Sequence, residues 1–194
     1  MNLPNKLTLG RLVITLIFVA VMSVDFAFQA SIGLLLFIIA SITDYLDGML
    51  ARKHGLVTTF GKLMDPLVDK ILICSAYVIL CSLPDSIPPW AVVIILAREF
   101  LVTGLRLIAT SQGSVLAADS LGKWKTTLQI TTAIYFLLFL ATRESLFSFL
   151  APLYQPTWMQ PAVMGNLLVG LTDLITVISG LSYIWSNRSL VKDL

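Results

Sequence analysis

The chain has 194 residues, of which 57% are hydrophobic and 12% are charged, and its formal net charge is +2. This composition excludes a soluble globular domain, because a soluble chain of this length carries many more charged residues. Cys74 and Cys81 are its two cysteines, too few for a disulfide framework. We therefore predict an integral membrane protein with buried free thiols and with membrane lipid, not nucleic acid, as a partner.

Six apolar stretches follow one another along the chain. Each is close to the length of about 20 mostly apolar residues that a membrane-spanning helix needs. Turn signals separate them at 25–30 and 83–89, and three prolines, Pro152, Pro156 and Pro161, precede the last stretch. No room is left for a separate soluble domain. The sequence predicts an all-α bundle of six transmembrane helices that forms one domain over residues 1–194, with helices at 8–24, 31–52, 61–83, 88–112, 119–142 and 162–186.

Lysine and arginine are concentrated on one side of these predicted helices. They occur before and within the start of the first helix, around the 2–3 and 4–5 loops, and at the C-terminus. The opposite side holds only Arg143, together with Asp25, Asp85 and Glu144. By the positive-inside rule, both termini are expected in the cytoplasm. The predicted localisation is a cytoplasmic membrane that the chain crosses several times.

Four aspartates interrupt the apolar sequence. Asp44 and Asp47 lie near the end of the second predicted helix, and Asp65 and Asp69 lie near the start of the third. Acids in a membrane segment are costly and usually functional. If both segments are helical, the members of each pair share one helix face, because they are three and four residues apart. Counting inward at about 1.5 Å per residue puts both pairs at the same depth, in the cytoplasmic third of the bilayer.

Four neighbouring carboxylates would repel one another unless cations are bound between them. Hard oxygen ligands favour Mg²⁺ or Mn²⁺, and two such ions roughly 3.5–4 Å apart recur where displacement occurs at phosphorus. The alternative is that the acids only pair with nearby basic residues. Such pairs would not require the small residues Gly48, Ala51 and Gly61, which leave space for a phosphate but also favour close helix packing. Arg52 can donate to phosphate oxygens from the cytoplasmic side.

A second charged set lies in the fourth and fifth predicted helices. Arg98 and Glu99 stand midway along the fourth helix, where a charge needs a partner or a cavity. Arg106 follows Glu99 by seven residues and shares its face. Lys123 and Lys125 differ by about 200° of helical rotation, so they reach one point only if the fifth helix begins at or after them. These basic residues either enforce topology, which explains Arg98 poorly, or indicate a second phosphate-bearing substrate.

Two isolated residues have simpler interpretations. His54, the single histidine, is expected to be a solvated residue of the 2–3 loop, and Asp173 in the last helix is expected to make an interhelical hydrogen bond. No serine or cysteine has a nearby histidine that would activate it as a nucleophile. No covalent enzyme intermediate is therefore predicted.

The pattern Asp44-x-x-Asp47-Gly48-x-x-Ala51-Arg52, eight residues, Gly61-x-x-x-Asp65-x-x-x-Asp69 resembles the signature of the CDP-alcohol phosphatidyltransferases in every residue type and interval. The six-helix layout resembles that of the whole family core. The resemblance implies transfer of a phosphatidyl group from a CDP-activated lipid to an alcohol, release of CMP, and two Mg²⁺ or Mn²⁺ ions. It further implies that the metals are held by Asp44, Asp47, Asp65 and Asp69, that Asp69 is the general base, and that the CDP-lipid is bordered by Thr8, Arg11, Gly48, Ala51, Arg52 and Gly61.

Further blocks are similar to those of bacterial phosphatidylglycerophosphate synthases, a branch of that family. They are Ala97-Arg98-Glu99-Phe100, Thr103-Gly104-Leu105-Arg106, Leu121-Gly122-Lys123-x-Lys125-Thr126 and the N-terminal Asn2-x-Pro4-Asn5-x-x-Thr8-x-x-Arg11. This similarity implies CDP-diacylglycerol and sn-glycerol 3-phosphate as substrates, a homodimer, and a bacterial inner membrane. The residues implied in binding the acceptor phosphate are Arg98, Arg106, Lys123 and Lys125.

Two alternatives remain open at this point. The inositol-phosphate and cardiolipin branches share parts of these blocks, so the acceptor could be a different alcohol. A cation transporter or channel is a more distant alternative, because paired intramembrane acids can also carry ions. The position of the acids at one end of their helices and the lack of an internal repeat argue against transport.

Overall fold

The computed structural model of the protein describes residues 3–54, 59–111 and 120–188, without the side chains of 3–8, 44–54, 59–67, 69, 110, 111 and 120. In these three ranges all regular secondary structure is helical and there is no strand, so the predicted all-α class is confirmed. The six long helices in them are α1 (Leu3–Met22), α2 (Gln29–His54), α3 (Thr59–Cys81), α4 (Pro89–Ser111), α5 (Ser120–Ala141) and α6 (Asn166–Ser186).

Most helix boundaries lie within a few residues of the predicted ones. α1 begins earlier than predicted, at Leu3, because Pro4 falls in the first turn, where a missing N–H costs no hydrogen bond. The segment before α6 is also more ordered than the predicted loop. It contains the short 3₁₀ helices Ser148–Tyr154 and Thr157–Met159 and a π-helical turn at Pro161–Gly165.

The helices pack around an aromatic and aliphatic core. α1 packs mainly on α2 and α3, α5 on α2 and α6, and α4 on α6 and α3. The α1–α2 pair is antiparallel: the Phe18 and Phe37 rings lie 5.9 Å apart, and Gly33 lies so close to Met22 that a Cβ there would collide with its side chain. Tyr77 of α3 is fully buried at the centre of the bundle.

The bundle has two ends with different connections. We call the end at which α2 leads to α3 and α4 leads to α5 the motif end, and the opposite end the distal end. Glu144, at the distal end, accepts hydrogen bonds from the backbone N–H groups of Ala30 and Ser31 at 2.7 and 2.9 Å. The Gln29 side chain donates to the Met22 carbonyl at 2.7 Å. These contacts satisfy backbone groups that helix termini leave unpaired.

Within the described residues, one helical stretch, Pro161–Ser186, is long and apolar enough to cross a membrane by length and composition. Shorter apolar stretches occur at Leu9–Met22, Gln29–Thr43 and Lys70–Cys81. Charged residues, such as Arg98 and Glu99 of α4, reduce the apolar character of the other helices.

Candidate active site

The four aspartates of the motif lie on two helices. Asp44 and Asp47 are in α2, Asp65 and Asp69 are in α3, and the backbone is helical through all four positions. The prediction that the two aspartates of each pair share one helix face requires a helical backbone, and the backbone is helical there. Their side chains lie outside the described residues, as do those of Thr8, Gly48, Ala51, Arg52, His54 and Gly61.

Arg11 is the predicted CDP-lipid residue whose side chain is described. It is buried, with 4% of its surface exposed. The α1–α2 register is fixed by the contact of Met22 with Gly33. Equal numbers of residues separate that contact from Arg11 on α1 and from Asp44 on α2, so Arg11 lies level with Asp44. A buried guanidinium therefore occurs at the depth of the first motif aspartate, on the adjacent helix.

A charged network joins α3, α4 and α5 inside the bundle. The Glu99 carboxylate lies at its centre: the Lys125 ammonium donates a hydrogen bond to it, Arg98 Nη1 is 3.6 Å from its Oε1, and Lys70 Nζ is 3.9 Å from its Oε2. Lys70 also donates to the Thr103 hydroxyl, which in turn donates to the Glu99 carbonyl at 2.6 Å. We call Lys70, Arg98, Glu99 and Lys125 the charged network.

The charged network has a closed side and a more open side. The Glu99 and Lys125 side chains are only 4% and 5% exposed, whereas Arg98 is 12% exposed and Lys70 is 26% exposed. A buried charge is tolerated when it is paired and hydrogen-bonded, and Glu99 provides that pairing for Lys125. Three cations surround one carboxylate in this network. Such a cluster of cations suits a bound anion at the Lys70 and Arg98 side.

The predicted basic residues do not all meet at this network. α5 begins at Ser120, before both lysines, so they point in different directions, as their spacing requires. Lys125 is buried in the network, whereas Lys123 is exposed. Arg106, which shares a helix face with Glu99, is also exposed near the motif end of α4. The structure therefore brings Arg98 and Lys125 together and leaves Lys123 and Arg106 at the surface.

Arg98 is held from a second side by α6. Its Nη2 donates to the Ser179 hydroxyl at 2.6 Å. Its Cγ lies 3.1 Å from where a Cβ of Gly180 would stand, so the glycine permits the arginine stem to run close along α6. Glu99, Lys70 and Ser179 are therefore parts of this site that the sequence-based list of site residues lacked. The sequence did single out Glu99 as a mid-helix charge that needs a partner, but it gave this residue no role at the site.

Two predicted polar features differ from expectation. Asp173 is buried in α6, but among the described residues neither of its carboxylate oxygens has a hydrogen-bond partner, so the predicted interhelical bond is not found there. The nearby interhelical bond joins the neighbouring Thr172 to Thr132 at 2.9 Å. Cys74 and Cys81 are free, as predicted, but partly exposed rather than buried, because neighbouring helices cover their side of α3 incompletely.

A cavity of about 490 Å³ opens at the distal end, on the side of the bundle away from the motif. Arg143 and Asp85, both at its wall, form an ion pair at 3.1 Å. Tyr154 donates to the Tyr135 carbonyl at 3.1 Å, and burial raises the pKa of the Tyr154 hydroxyl. The polar groups at this cavity thus contact one another. About half the length of the helices separates them from the charged network.

The model of the CDP-alcohol phosphatidyltransferase family matches residues 1–164, which include both helices of the aspartate motif and the charged network. The chain belongs to the CDP-alcohol phosphatidyltransferase family. The match ends before α6. The Ser179 contact with Arg98 thus lies beyond the family match.

Individual relatives extend the similarity. The chain is 48% identical over 141 residues to a Bacillus subtilis protein named CDP-diacylglycerol–glycerol-3-phosphate 3-phosphatidyltransferase, covering 66% of this chain and 72% of the relative. A Rickettsia typhi protein of the same name is 34% identical over 182 residues, or 94% of each chain. A cardiolipin synthase (CMP-forming) of Oryza sativa subsp. japonica is 33% identical over 144 residues, which cover 68% of this chain and 44% of that protein.

Proposed function

We propose that the protein transfers the phosphatidyl group of CDP-diacylglycerol to sn-glycerol 3-phosphate, giving phosphatidylglycerophosphate and CMP. The observation that carries this proposal is the similarity over 94% of both chains to a relative whose name specifies these substrates. The charged network supports it, because an uncharged acceptor would not need three cations gathered inside a helical bundle.

In this proposal the acceptor's phosphate is bound on the open side of the charged network by Arg98, with Lys125 behind it, and Arg106 and Lys123 guide it from the surface. Guanidinium and ammonium groups make charge-assisted hydrogen bonds to phosphate oxygens, and these bonds are the stronger class of hydrogen bond. Binding of the phosphate fixes the distance between the network and the acceptor's free primary hydroxyl, which is the attacking group. Lys70 of the network follows Asp69 directly in α3, which supports a position of the acceptor near the proposed base.

The chemistry of the donor set fits divalent metal ions. Asp44, Asp47, Asp65 and Asp69 supply only carboxylate oxygens, the ligands that Mg²⁺ and Mn²⁺ prefer, from two stretches of helical backbone. Outside these side chains, the described residues contain no cluster that could hold a metal. When bound, two such ions would neutralise the diphosphate of the CDP-lipid and stabilise the departing CMP.

The protein's own groups carry the remaining steps. The Asp69 carboxylate accepts the proton of the attacking glycerol hydroxyl, whose oxygen forms a bond to the β-phosphorus while the bond to the CMP oxygen breaks. Thr8, Arg11, Gly48, Ala51, Arg52 and Gly61 border the CDP-lipid and orient its diphosphate. Holding both substrates in this geometry replaces a bimolecular encounter by a reaction between bound groups. The transfer is direct, without a covalent enzyme intermediate.

We propose that all six helices span the cytoplasmic membrane of a bacterium, with both termini in the cytoplasm. Large apolar side chains such as Phe100 and Leu181 are more than half exposed on the outside of the bundle, whereas its interior holds charges, the reverse of a soluble protein. All four tryptophans are exposed near helix ends. Trp124 and Trp185 lie at the motif end and Trp90 and Trp158 at the distal end, an arrangement typical of membrane interfaces.

We also propose that residues 1–194 form a single domain and that the protein is a homodimer. The extensive packing of α6 on α4 and α5 supports one domain, because α6 supplies Ser179 to the site. Crosslinking of the purified protein in detergent would test the dimer.

The proposed activity is tested with purified protein, CDP-diacylglycerol and a panel of acceptors, with release of CMP as the readout. We expect turnover with sn-glycerol 3-phosphate, loss of activity with a chelator, and recovery with Mg²⁺ or Mn²⁺. Plain glycerol should be a poor acceptor, because it leaves the arginines without their anion. Efficient use of inositol phosphate or phosphatidylglycerol instead would assign the protein to another branch of the family, and undiminished activity without metal would contradict the metal site.

A further inference from the structure

We propose that Glu99 is a positioning residue of the acceptor site, whose carboxylate holds Lys70, Arg98 and Lys125 in the arrangement that receives a phosphate dianion. This inference rests on the proposed function. It adds two residues to the acceptor site: Glu99, which positions the cations, and Lys70, which is a third cation.

The geometry gives Glu99 contacts in three directions. Its two carboxylate oxygens face Lys125 of α5, Lys70 of α3 and Arg98 on its own helix. Its main-chain carbonyl accepts a hydrogen bond from Thr103, which itself accepts one from Lys70. Three helices are thus tied to one residue, and two independent connections lead from it to Lys70.

The burial pattern separates the positioning group from the groups that can meet a ligand. Glu99 and Lys125 form the closed side of the network, at 4% and 5% exposure, while Lys70 and Arg98 form its open side. A phosphate that approaches from the open side meets Lys70 and Arg98. Glu99 lies behind them, so it acts through the cations and not by touching the substrate.

Electrostatics explains why a carboxylate is needed at a site for an anion. Three cations within a few ångströms repel one another strongly in a medium of low dielectric constant. One carboxylate among them lowers this repulsion and keeps the long side chains in one geometry before the substrate binds. Preorganisation of this kind strengthens binding because less ordering remains to be done when the ligand arrives. Cations held in this geometry suit a phosphate dianion.

The first test compares Glu99→Gln with Glu99→Asp. Glu99→Gln keeps the shape but removes the charge, so we expect the KM for sn-glycerol 3-phosphate to rise by about tenfold or more while the KM for CDP-diacylglycerol stays within about twofold. Glu99→Asp should restore part of the acceptor affinity. A folded Glu99→Gln protein with wild-type KM for the acceptor, or equal rises for both substrates, would overturn the proposal and leave Glu99 a structural residue.

A second pair of variants avoids an unpaired buried charge, which could prevent folding of Glu99→Gln. Lys125→Met alone is compared with Lys125→Met combined with Glu99→Gln. Because Glu99 also holds Lys70 and Arg98, we expect the acceptor KM of the double variant to exceed that of Lys125→Met by several-fold. Equal values in the two variants would contradict the proposed positioning of Lys70 and Arg98.

The wild-type protein distinguishes this inference from the proposed function. If it releases CMP only with a non-phosphorylated alcohol, the proposed function is wrong. If it uses sn-glycerol 3-phosphate normally and the Glu99 variants retain its affinity, only the role of Glu99 is wrong.

Discussion

The interior around the charged network and the distal end of the bundle use charged residues in opposite ways. In the network, Glu99, Lys125 and Arg98 are buried and converge from two helices on one place. At the distal end, Arg143 and Asp85 pair while half or more of each side chain is exposed. Exposed pairs contribute little to stability, whereas buried charges persist only where other groups compensate them. The comparison separates buried charges, for which we propose a role in the reaction, from exposed charges that hold loops together.

The largest expected difference concerns two aspartates, one in each region. Asp69→Asn removes the proposed base and a metal ligand, so we expect kcat to fall by at least about 10³-fold. Asp85→Asn at the distal end removes only one partner of an exposed pair and should leave kcat within about twofold. CMP release by the two purified variants, at equal amounts of inserted protein, checks this prediction. Comparable losses in both would mean that the distal end takes part in catalysis.

Two arginines give the next contrast. Arg98→Gln should raise the KM for sn-glycerol 3-phosphate by roughly 100-fold, the scale of one lost charged hydrogen bond to the substrate. Arg143→Gln should change it by less than about twofold, since Arg143 pairs with Asp85 and stacks on Phe139. Initial-rate kinetics with both substrates varied in turn provide the measurement. An unchanged acceptor KM in Arg98→Gln would remove α4 from the acceptor site.

Gly180→Ala should have a smaller and more specific effect. The new methyl would stand 3.1 Å from Arg98 Cγ, so the arginine must shift by a few tenths of an ångström. We expect a several-fold rise in the acceptor KM, with an unchanged KM for CDP-diacylglycerol. Gly170→Ala is the matched control on the same helix, because nothing described lies within 4 Å of a Cβ there. The same kinetic change in both variants would point to a general effect on α6.

The smallest functional effect is expected at Glu144. Glu144→Gln weakens the cap on the Ala30 and Ser31 N–H groups, which we estimate at about 1–2 kcal/mol of stability. The unfolding midpoint in detergent should fall by about 3–6 °C, while both KM values stay unchanged. A scanning calorimetry trace together with CMP-release kinetics would check both parts. A changed acceptor KM would show that the two ends of the bundle are coupled.

The helices and the aspartate motif could be predicted from the sequence, because both depend on local patterns. Apolar length predicted the six helices, and the spacing of Asp44, Asp47, Asp65 and Asp69 follows from helical periodicity. The rotation between Lys123 and Lys125 was also predicted. Which lysine faces inward was not, because that depends on how α5 packs against α2, α3 and α6.

Long-range contacts account for what the sequence could not provide. The Lys70 contact with Thr103 and the Arg98 contact with Ser179 join residues far apart in the chain, and no periodicity relates them. Glu144 was counted only as a charge that indicates topology, yet it caps α2. The start of α1 at Leu3 depends on the tolerance of proline in a first helical turn.

The most direct test of the central claim follows the oxygen that forms the new bond. sn-Glycerol 3-phosphate carrying a heavy-oxygen label in its free primary hydroxyl is incubated with CDP-diacylglycerol and the protein, and both products are examined by mass spectrometry. Attack of that hydroxyl on the β-phosphorus predicts a labelled phosphatidylglycerophosphate and an unlabelled CMP. Formation of phosphatidic acid, together with a labelled cytidine-containing product, would mean attack at the other phosphorus and would contradict the account.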